Sequence, residues 1–406
     1  MRVSIIIPAW NLWETTRACL RSLAEHPDGL AEVVVADNGS TDATREQLPS
    51  EGKRLFGERF TLVRLERNLG FAAGCNAGAR AASGDALLFL NNDTTVTPGW
   101  LSPLTLSLQR DGVGAVGPLL LYPDGTNQHC GVSFSLLRNP RHLYERFPGD
   151  HPALRTTHPL QAITGAALLL RRRHFDEACG FHEGYVNGYE DLDLCCALRD
   201  RGLRLAVEPS STIFHHESKT PGRHRGDTDN ADLFTSRWGG RVHADLHLQA
   251  AVDGYAARLS PRLVSYLALP PPRERDLNDH FAAPPDTEPQ KLRAALAAEP
   301  LWQGGYLLLA TLLERQGDME NALNTALRAV TLFPVNAAQR ALLRIAGRMG
   351  LRDVADAALE MLRPIAPDTR RENARTVRFH LRAAQERGDA ALAEIFLEWL
   401  RKESER

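Results

Sequence analysis

Val3–Ile7 is a largely β-branched run that Pro8 stops, the pattern of a buried strand. Thr15–Ala24 follows with Cys19, Leu20 and Leu23 on one face, which predicts a helix. Glu32–Ala36 (EVVVA) predicts a second strand. It ends on Asp37-Asn38-Gly39-Ser40, where Ser40 or Thr41 is placed to cap a short helix. Thr61–Leu65 predicts a third strand, Asn76–Ala82 a helix and Ala86–Leu90 a fourth strand. Strands alternating with helices imply a parallel sheet with helices on both faces and right-handed crossovers. Three of the strands end on polar residues: Pro8-Ala9-Trp10-Asn11, Asp37-Asn38 and Asn91-Asn92-Asp93. The last is open to two readings on its own. Asn and Asp favour turns because they hydrogen-bond nearby backbone. They also furnish ligand sites at the carboxyl edge of open α/β sheets. In a parallel sheet the three ends meet at one edge, which favours a site.

The middle of the chain, about 110–245, is less regular. Gly165–Leu170 predicts a strand, followed by Arg171-Arg172-Arg173, either a solvated edge or a phosphate contact. In GYEDLDLCCALRDRG (188–202), Leu194 and Leu198 have helical spacing and Gly202 is a stop signal, so Glu190 and Asp191 fall at a helix N-terminus. Leu203–Val207 and Thr212–Phe214 read as short strands, the second ending on His215-His216. After about residue 246 the composition changes. PPPRERDLNDHFAAPPDTEP (270–289) reads as a Pro-rich linker. The rest reads as helices only. Residues 303–336 fit a helical-hairpin repeat of about 34 residues. Tyr306, Leu309, Ala310 and Leu313 line its first helix, Gly317 turns it, Ala322, Ala326 and Ala329 line its second, and Pro334 closes it. Looser copies run through Gly350, Ala355 and Pro367, and through Leu381, Gly388 and Ala393. The pattern resembles tetratricopeptide repeats; a generic helical bundle is the alternative. The predicted division is 1–245, a linker at 246–289, and a helical domain at 290–406.

Length supports this division, since 406 residues exceed one ordinary domain. A net charge of -2 gives no support for a nucleic-acid surface. None of the six cysteines forms a CxxC pair, which argues against a zinc or redox motif and for a reducing, cytoplasmic setting. No apolar run is long enough to span a membrane.

Candidate chemistry sharpens this outline. The segments VSIIIPAWN, VVVADNGSTDAT, RNLGFAAGCNAGARAASGDALLFLNND, ITGAALLLRRRHFDEACGFHEGYVNGYEDLDLCCALRDRG and IFHHES occur in the order seen in family 2 glycosyltransferases. Over about residues 1–240 the chain resembles that family, with the flavour of its rhamnosyltransferase-like group. The resemblance implies an α/β GT-A nucleotide-diphospho-sugar transferase fold, a Rossmann-like mixed sheet, here followed by an all-α helical-repeat domain. It implies inverting, hexosyltransferase-type transfer from a nucleotide diphosphate-sugar, a UDP- or dTDP-sugar, to an acceptor hydroxyl. Mn²⁺ or Mg²⁺ would stabilise the departing diphosphate.

Site residues follow by the same resemblance. Asp191 matches the catalytic base, and a helix N-terminus favours a carboxylate there. Asp93 matches the last acid of the metal-binding DXD motif, with Asn91 replacing the first acid, a departure that removes a negative charge. His215, or alternatively His216, completes the metal site. Pro8, Ala9, Trp10, Asn11 and Asp37 match the loops bordering the nucleotide, as do Asn68, Gly70, Phe71, Asn76 and Asn92 beside them; Arg67 either reaches base or phosphate or is an exposed surface arginine. Asn38 and Ser40 read as residues shaping the turn, and Gly70 and Gly74 as permitting close backbone approach. Thr164, Gly165, Ala166 and Glu190 match the acceptor side of the cleft. Asp193 reads as a solvated or structural helix residue. Residues 217–237, with Arg223, His224 and Arg225, and then Trp238, resemble a flap over the donor.

The helical tail suggests a protein acceptor, such as flagellin, docked on a concave face. A lipid-linked glycan of envelope polysaccharide or O-antigen synthesis is the runner-up acceptor. A non-catalytic repeat scaffold is a different class of reading, opposed by the intact Asp93, Asp191 and His215. A dinucleotide-binding enzyme is disfavoured because no GxGxxG follows the first strand.

Overall fold

The computed structural model describes residues 1–217, 227–281 and 288–405. It divides into two compact units, one of Met1–Ser133 with Pro140–His243, the other of Phe134–Asn139 with Ala244–Arg406.

The first unit is a nine-stranded mixed sheet with flanking helices. The strands in chain order are β1 (Val3–Ala9), β2 (Glu32–Asp37), β3 (Phe60–Arg64), β4 (Ala86–Leu90), β5 (Thr94–Val96), β6 (Val113–Leu121), β7 (Asn127–His129), β8 (Val132–Phe134), β9 (Pro140–His142), β10 (Ala167–Arg171) and β11 (Arg204–His215); β8 and β9 pair as a separate two-stranded sheet, and the other nine form the large one. The sheet order is β3-β2-β1-β4-β10-β6-β11-β5, with β7 on β6. The first four strands are parallel, as the alternating pattern predicts. Beyond them the sheet is mixed, as the family resemblance implies: β10 runs antiparallel to both β4 and β6, and β5 antiparallel to β11. Both reversals follow connections without a crossover helix, so nothing forces a parallel return. The mixed order is the GT-A architecture. Because the reversed strands begin where their neighbours end, the carboxyl ends of β1, β2, β4, β6 and β11 share one edge with the starts of β5 and β10.

Helices α1 (Trp13–Glu25), α2 (Thr44–Phe56), α3 (Phe71–Ala81), α4 (Leu101–Leu108), α5 (Arg172–Glu177), α6 (Glu190–Asp200) and α7 (Asp227–Trp238) belong to this unit. Ile5, Ile7, Val33, Val35, Leu88 and Leu90 pack one sheet face against Leu20, Leu23 and Trp100, all fully or nearly fully buried. Each such side chain contributes roughly 1.5–3 kcal/mol by burial.

Local details depart from the sequence pattern. Neither Ser40 nor Thr41 caps α2. Asp42 does, accepting from Thr44 N–H at 3.0 Å through Oδ1, while its Oδ2 accepts from Trp13 N–H at 3.2 Å at the start of α1. Burial pushes this carboxyl up, but the hydrogen bonds outweigh it and hold Asp42 below the usual range. Arg172 is neither a solvated edge nor a phosphate contact. Its guanidinium donates to the carbonyls of Ala79, Ala82 and Gly84 and so closes the C-terminus of α3.

The second unit holds α8 (Leu246–Val252), the hairpin of β12 (Ala256–Leu259) and β13 (Ser265–Ala268), and α9 (Pro271–Phe281). These elements stand where composition predicts a linker. Pro271 and Pro272 open α9, and a first helical turn tolerates proline because its N–H groups have no intrahelical partner. Then come α10 (Pro289–Ala298), α11 (Gln303–Arg315), α12 (Met319–Leu332), α13 (Asn336–Arg348), α14 (Arg352–Leu362), α15 (Pro367–Glu386) and α16 (Ala390–Ser404). Gly317, Gly350 and Gly388, each at φ between 71° and 80°, turn α11 into α12, α13 into α14 and α15 into α16. Tyr306, Leu309, Ala310, Leu313, Ala322, Ala326 and Ala329 are buried between these helices.

Candidate active site

The shared sheet edge opens into a cleft of about 890 Å³. Pro8, Ala9, Trp10, Asn68, Phe71, Asn91, Asn92, Asp93, Thr164, Gly165, Ala166, Glu190, Asp191 and His215 all line it. Asn11, Asp37, Arg67, Gly70 and Asn76 do not.

Strand register sets the centre. His215 pairs with Thr94, one residue past Asp93, so the ends of β4 and β11 meet. His215 Nε2 lies 3.0 Å from Asp93 Oδ1 and 3.3 Å from Asn91 Nδ2. Its Nδ1 faces Gln128 Oε1 at 2.6 Å, which makes Nδ1–H the donor and leaves Nε2 turned to the carboxylate. Asp93, His215 and Gln128 are all buried. The His216 ring lies on Thr95, its Nε2 3.0 Å from Thr95 Oγ1, so of the two histidines it is His215 whose ring meets the Asp93 carboxylate. The donor set, a carboxylate and an imidazole oriented by an amide behind it, suits a divalent cation. Among the described residues no cluster of three or more acidic, histidine or cysteine side chains could hold a metal. A cation here would therefore take its other ligands from diphosphate oxygens and water.

Asp191 sits in the first turn of α6. Its Oδ2 accepts from Gly165 N–H and its Oδ1 from Leu192 N–H, both at 2.8 Å. The approach is close: a Cβ on Gly165 would lie 3.1 Å from Asp191 Cβ, so a larger residue there would press on the carboxylate's position. The turn entering α6 carries Asn187 and Tyr189 at positive φ. Glu190 holds that turn, Oε2 accepting from Gly188 N–H at 2.6 Å. Asp193 is buried rather than solvated. It accepts from Tyr185, Arg237 and Trp238, tying α7 to α6. Of the predicted flap, residues 218–226, including Arg223, His224 and Arg225, lie outside the described residues, and α7 begins at Asp227.

The residues absent from the cleft have other tasks. Asn76 donates to Phe181 O and Glu183 Oε1 and accepts from Phe181 N–H, a three-bond tether for α3. Asp37 accepts from Ser40 N–H at 2.9 Å and pairs with Arg64 at 3.5 Å. Asn11 Oδ1 accepts from Thr41 N–H, and its own N–H donates to Ser40 Oγ, which pins two loops together. Gly70 is needed for its φ of 90° rather than for close approach, since a Cβ there would meet nothing nearer than 3.9 Å. Arg67 is exposed.

Residues 4–178 match the family model for Glycosyl transferase family 2. The chain carries a family 2 glycosyltransferase domain. The matched segment includes Asp93 and stops before Asp191 and His215. An uncharacterised protein of Sinorhizobium fredii is 33% identical over 262 residues, covering 60% of this chain and 28% of that protein. The O-antigen biosynthesis protein RfbC of Myxococcus xanthus is 34% identical over 224 residues, covering 53% of this chain and 17% of RfbC. An N-acetylglucosaminyl-diphospho-decaprenol L-rhamnosyltransferase of Mycobacterium tuberculosis is 29% identical, covering 50% of this chain and 72% of that enzyme. The chain thus spans under a third of the length of the first two relatives. A solved mannosyltransferase of Pyrobaculum calidifontis, in complex with GDP-Man and Mn²⁺, has a TM-score of 0.43 at 19% identity, covering 89% of this chain and 85% of that one.

The cleft also contains residues that the sequence pattern does not mark: Tyr122, Gln128, His142 and Glu145. They come from the irregular stretch between β6 and β10, where no periodicity marks them. Among the described residues no helix is long and apolar enough to cross a membrane.

Proposed function

We propose that this chain is an inverting, metal-dependent glycosyltransferase that moves a sugar from a UDP- or dTDP-sugar to an acceptor hydroxyl. The observation that carries the reading is one cleft holding both the Asp93–His215–Gln128 cluster and Asp191. Asp93 and His215 would hold Mn²⁺ or Mg²⁺, which when bound supplies Lewis-acid stabilisation of the departing diphosphate. Asp191 takes the acceptor proton as the new bond from oxygen to the anomeric carbon forms. The old bond breaks with its electron pair leaving on the diphosphate. The Gly165 and Leu192 amides fix the Asp191 carboxylate for this task. Pro8, Trp10, Asn68 and Asn92 border the nucleotide. Thr164, Ala166 and Glu190 form the acceptor side.

The named relatives, an O-antigen protein and a rhamnosyltransferase, support a glycan acceptor for this chain. The α11–α16 hairpins support a second reading, in which tetratricopeptide-like repeats present a protein acceptor. Full-length chain given both p-nitrophenyl glycosides and serine- or threonine-rich peptides separates the two: glycosides alone should accept sugar, and peptides alone would restore the protein reading. The test of the chemistry is Asp191→Asn. Diphosphate release from the preferred donor should fall about 10²–10⁴-fold with nucleotide affinity retained; undiminished turnover would remove Asp191 from the base role.

A further inference from the structure

His142 lines the cleft, and its proton is placed by a relay of neighbours. Thr164 N–H donates to His129 Nε2 at 3.4 Å, so that nitrogen is an acceptor. His129 is buried, and burial pushes its imidazole well below the ordinary value, so it is neutral and carries its single proton on Nδ1. That nitrogen lies 2.9 Å from His142 Nδ1. His129 must donate, and His142 Nδ1 must accept. A neutral His142 then carries its proton on Nε2, which has no protein partner among the described residues. Burial holds His142 below the ordinary imidazole value, against the opposing pull of Glu145 and Asp191.

Glu145, three residues on, stands on the same wall. Its Oε1 accepts from Tyr122 O–H at 2.6 Å. The wall therefore combines a hydrogen-bond donor, His142 Nε2–H, with a carboxylate acceptor. Among the described residues lining the cleft are six carboxylates, Glu14, Asp93, Glu145, Glu190, Asp191 and Glu217, and no lysine or arginine. A donor beside an acceptor suits neighbouring hydroxyls of an uncharged sugar ring, and the acidic surround disfavours an anionic group wherever no divalent cation offsets it.

We propose that His142, fixed in its Nε2–H tautomer by His129, binds the acceptor as an uncharged pyranose, donating to one ring hydroxyl while Glu145 accepts from its neighbour. His129 acts through His142 and is a positioning residue. This inference rests on the glycosyl-transfer reading above.

Two measurements on the full chain test it. With isotope-labelled histidine at neutral pH, long-range proton–nitrogen correlation should show the His142 signal, identified by its loss in His142→Gln, with the proton on Nε2. A proton on Nδ1, or on both nitrogens, would overturn the relay. With Mn²⁺ and UDP or dTDP bound, saturation-transfer NMR of methyl glucoside, galactoside and rhamnoside should show binding of at least one. His142→Leu should weaken it about tenfold, as expected for one lost hydrogen bond. His142→Gln, whose amide N–H can replace Nε2–H, should keep it. Equal binding by wild type and the Leu variant would overturn the contact, as would no pyranoside binding to a wild type that binds nucleotide. A wild type that binds neither UDP nor dTDP would instead sink the glycosyl-transfer reading, while the tautomer measurement still decides the relay.

Discussion

The cleft has two parts built by different means. One rises from the ends of β1, β2, β3 and β4, where Asn11, Ser40 and Asn38 tie the loops after β1, β2 and β3 to one another. Its polar residues follow directly on strands with strong apolar patterns. The other comes from Tyr122, Gln128, His142, Glu145 and Thr164, on a stretch of short strands and loops with Arg138, Tyr144 and Arg146 at positive φ. Its order comes from side-chain pairs: histidine on histidine, tyrosine on glutamate, glutamine on the β11 histidine. The first part is a consequence of local periodicity. The second exists only once distant segments are in place. His215 joins them, since it meets Asp93 on the first part through Nε2 and Gln128 on the second through Nδ1.

Removing Asp93 should break the first part most severely. Asp93→Ala should abolish the Mn²⁺ dependence of nucleotide binding, read by titration with and without the ion; an unchanged curve with Mn²⁺ would remove Asp93 from the site. A smaller loss is expected from the second part. Gln128→Leu leaves both proposed ligands present but frees the His215 ring, so apparent Mn²⁺ affinity should fall about 10–100-fold, the usual range for an outer partner of a metal-binding histidine. Equal affinity would mean that the two parts are not joined through His215.

That contrast also explains what could be read from sequence. The strands β1 to β4, α1 and the position of Asp191 at the start of α6 were legible because each is local. The reversed β5 and β10 were not, since parallel and antiparallel strands carry similar apolar patterns once buried on both faces. Gln128 and His142 were invisible for lack of any period. Asn76 was misread because resemblance marks a position without saying what its side chain touches. Asn76→Ala removes three hydrogen bonds inside the fold and should cost about 2 kcal/mol of stability, seen as a lower Tm, without weakening nucleotide binding. A loss of nucleotide affinity at unchanged Tm would return it to the cleft.

The helical unit supplies the smallest effect. Burial first, then Arg138 and Arg387, lower His380 from 6.5 to about 4. Below pH 6.5 the unfolded chain takes up a proton there that the folded chain refuses until about pH 4. The unfolded state binds more protons in this window, so the contribution to stability is whole above it and shrinks as pH falls through it. His380→Gln should flatten the fall of the helical unit's thermal transition across that window; an identical slope would mean that His380 titrates normally.

The central claim is that one cleft holds a nucleoside diphosphate through a divalent cation. It is tested most directly by calorimetric titration of the full chain with UDP, dTDP and GDP, each with and without Mn²⁺. UDP or dTDP should bind, and removing Mn²⁺ should sharply weaken that binding. Binding of none of the three, or binding indifferent to Mn²⁺, would contradict the claim.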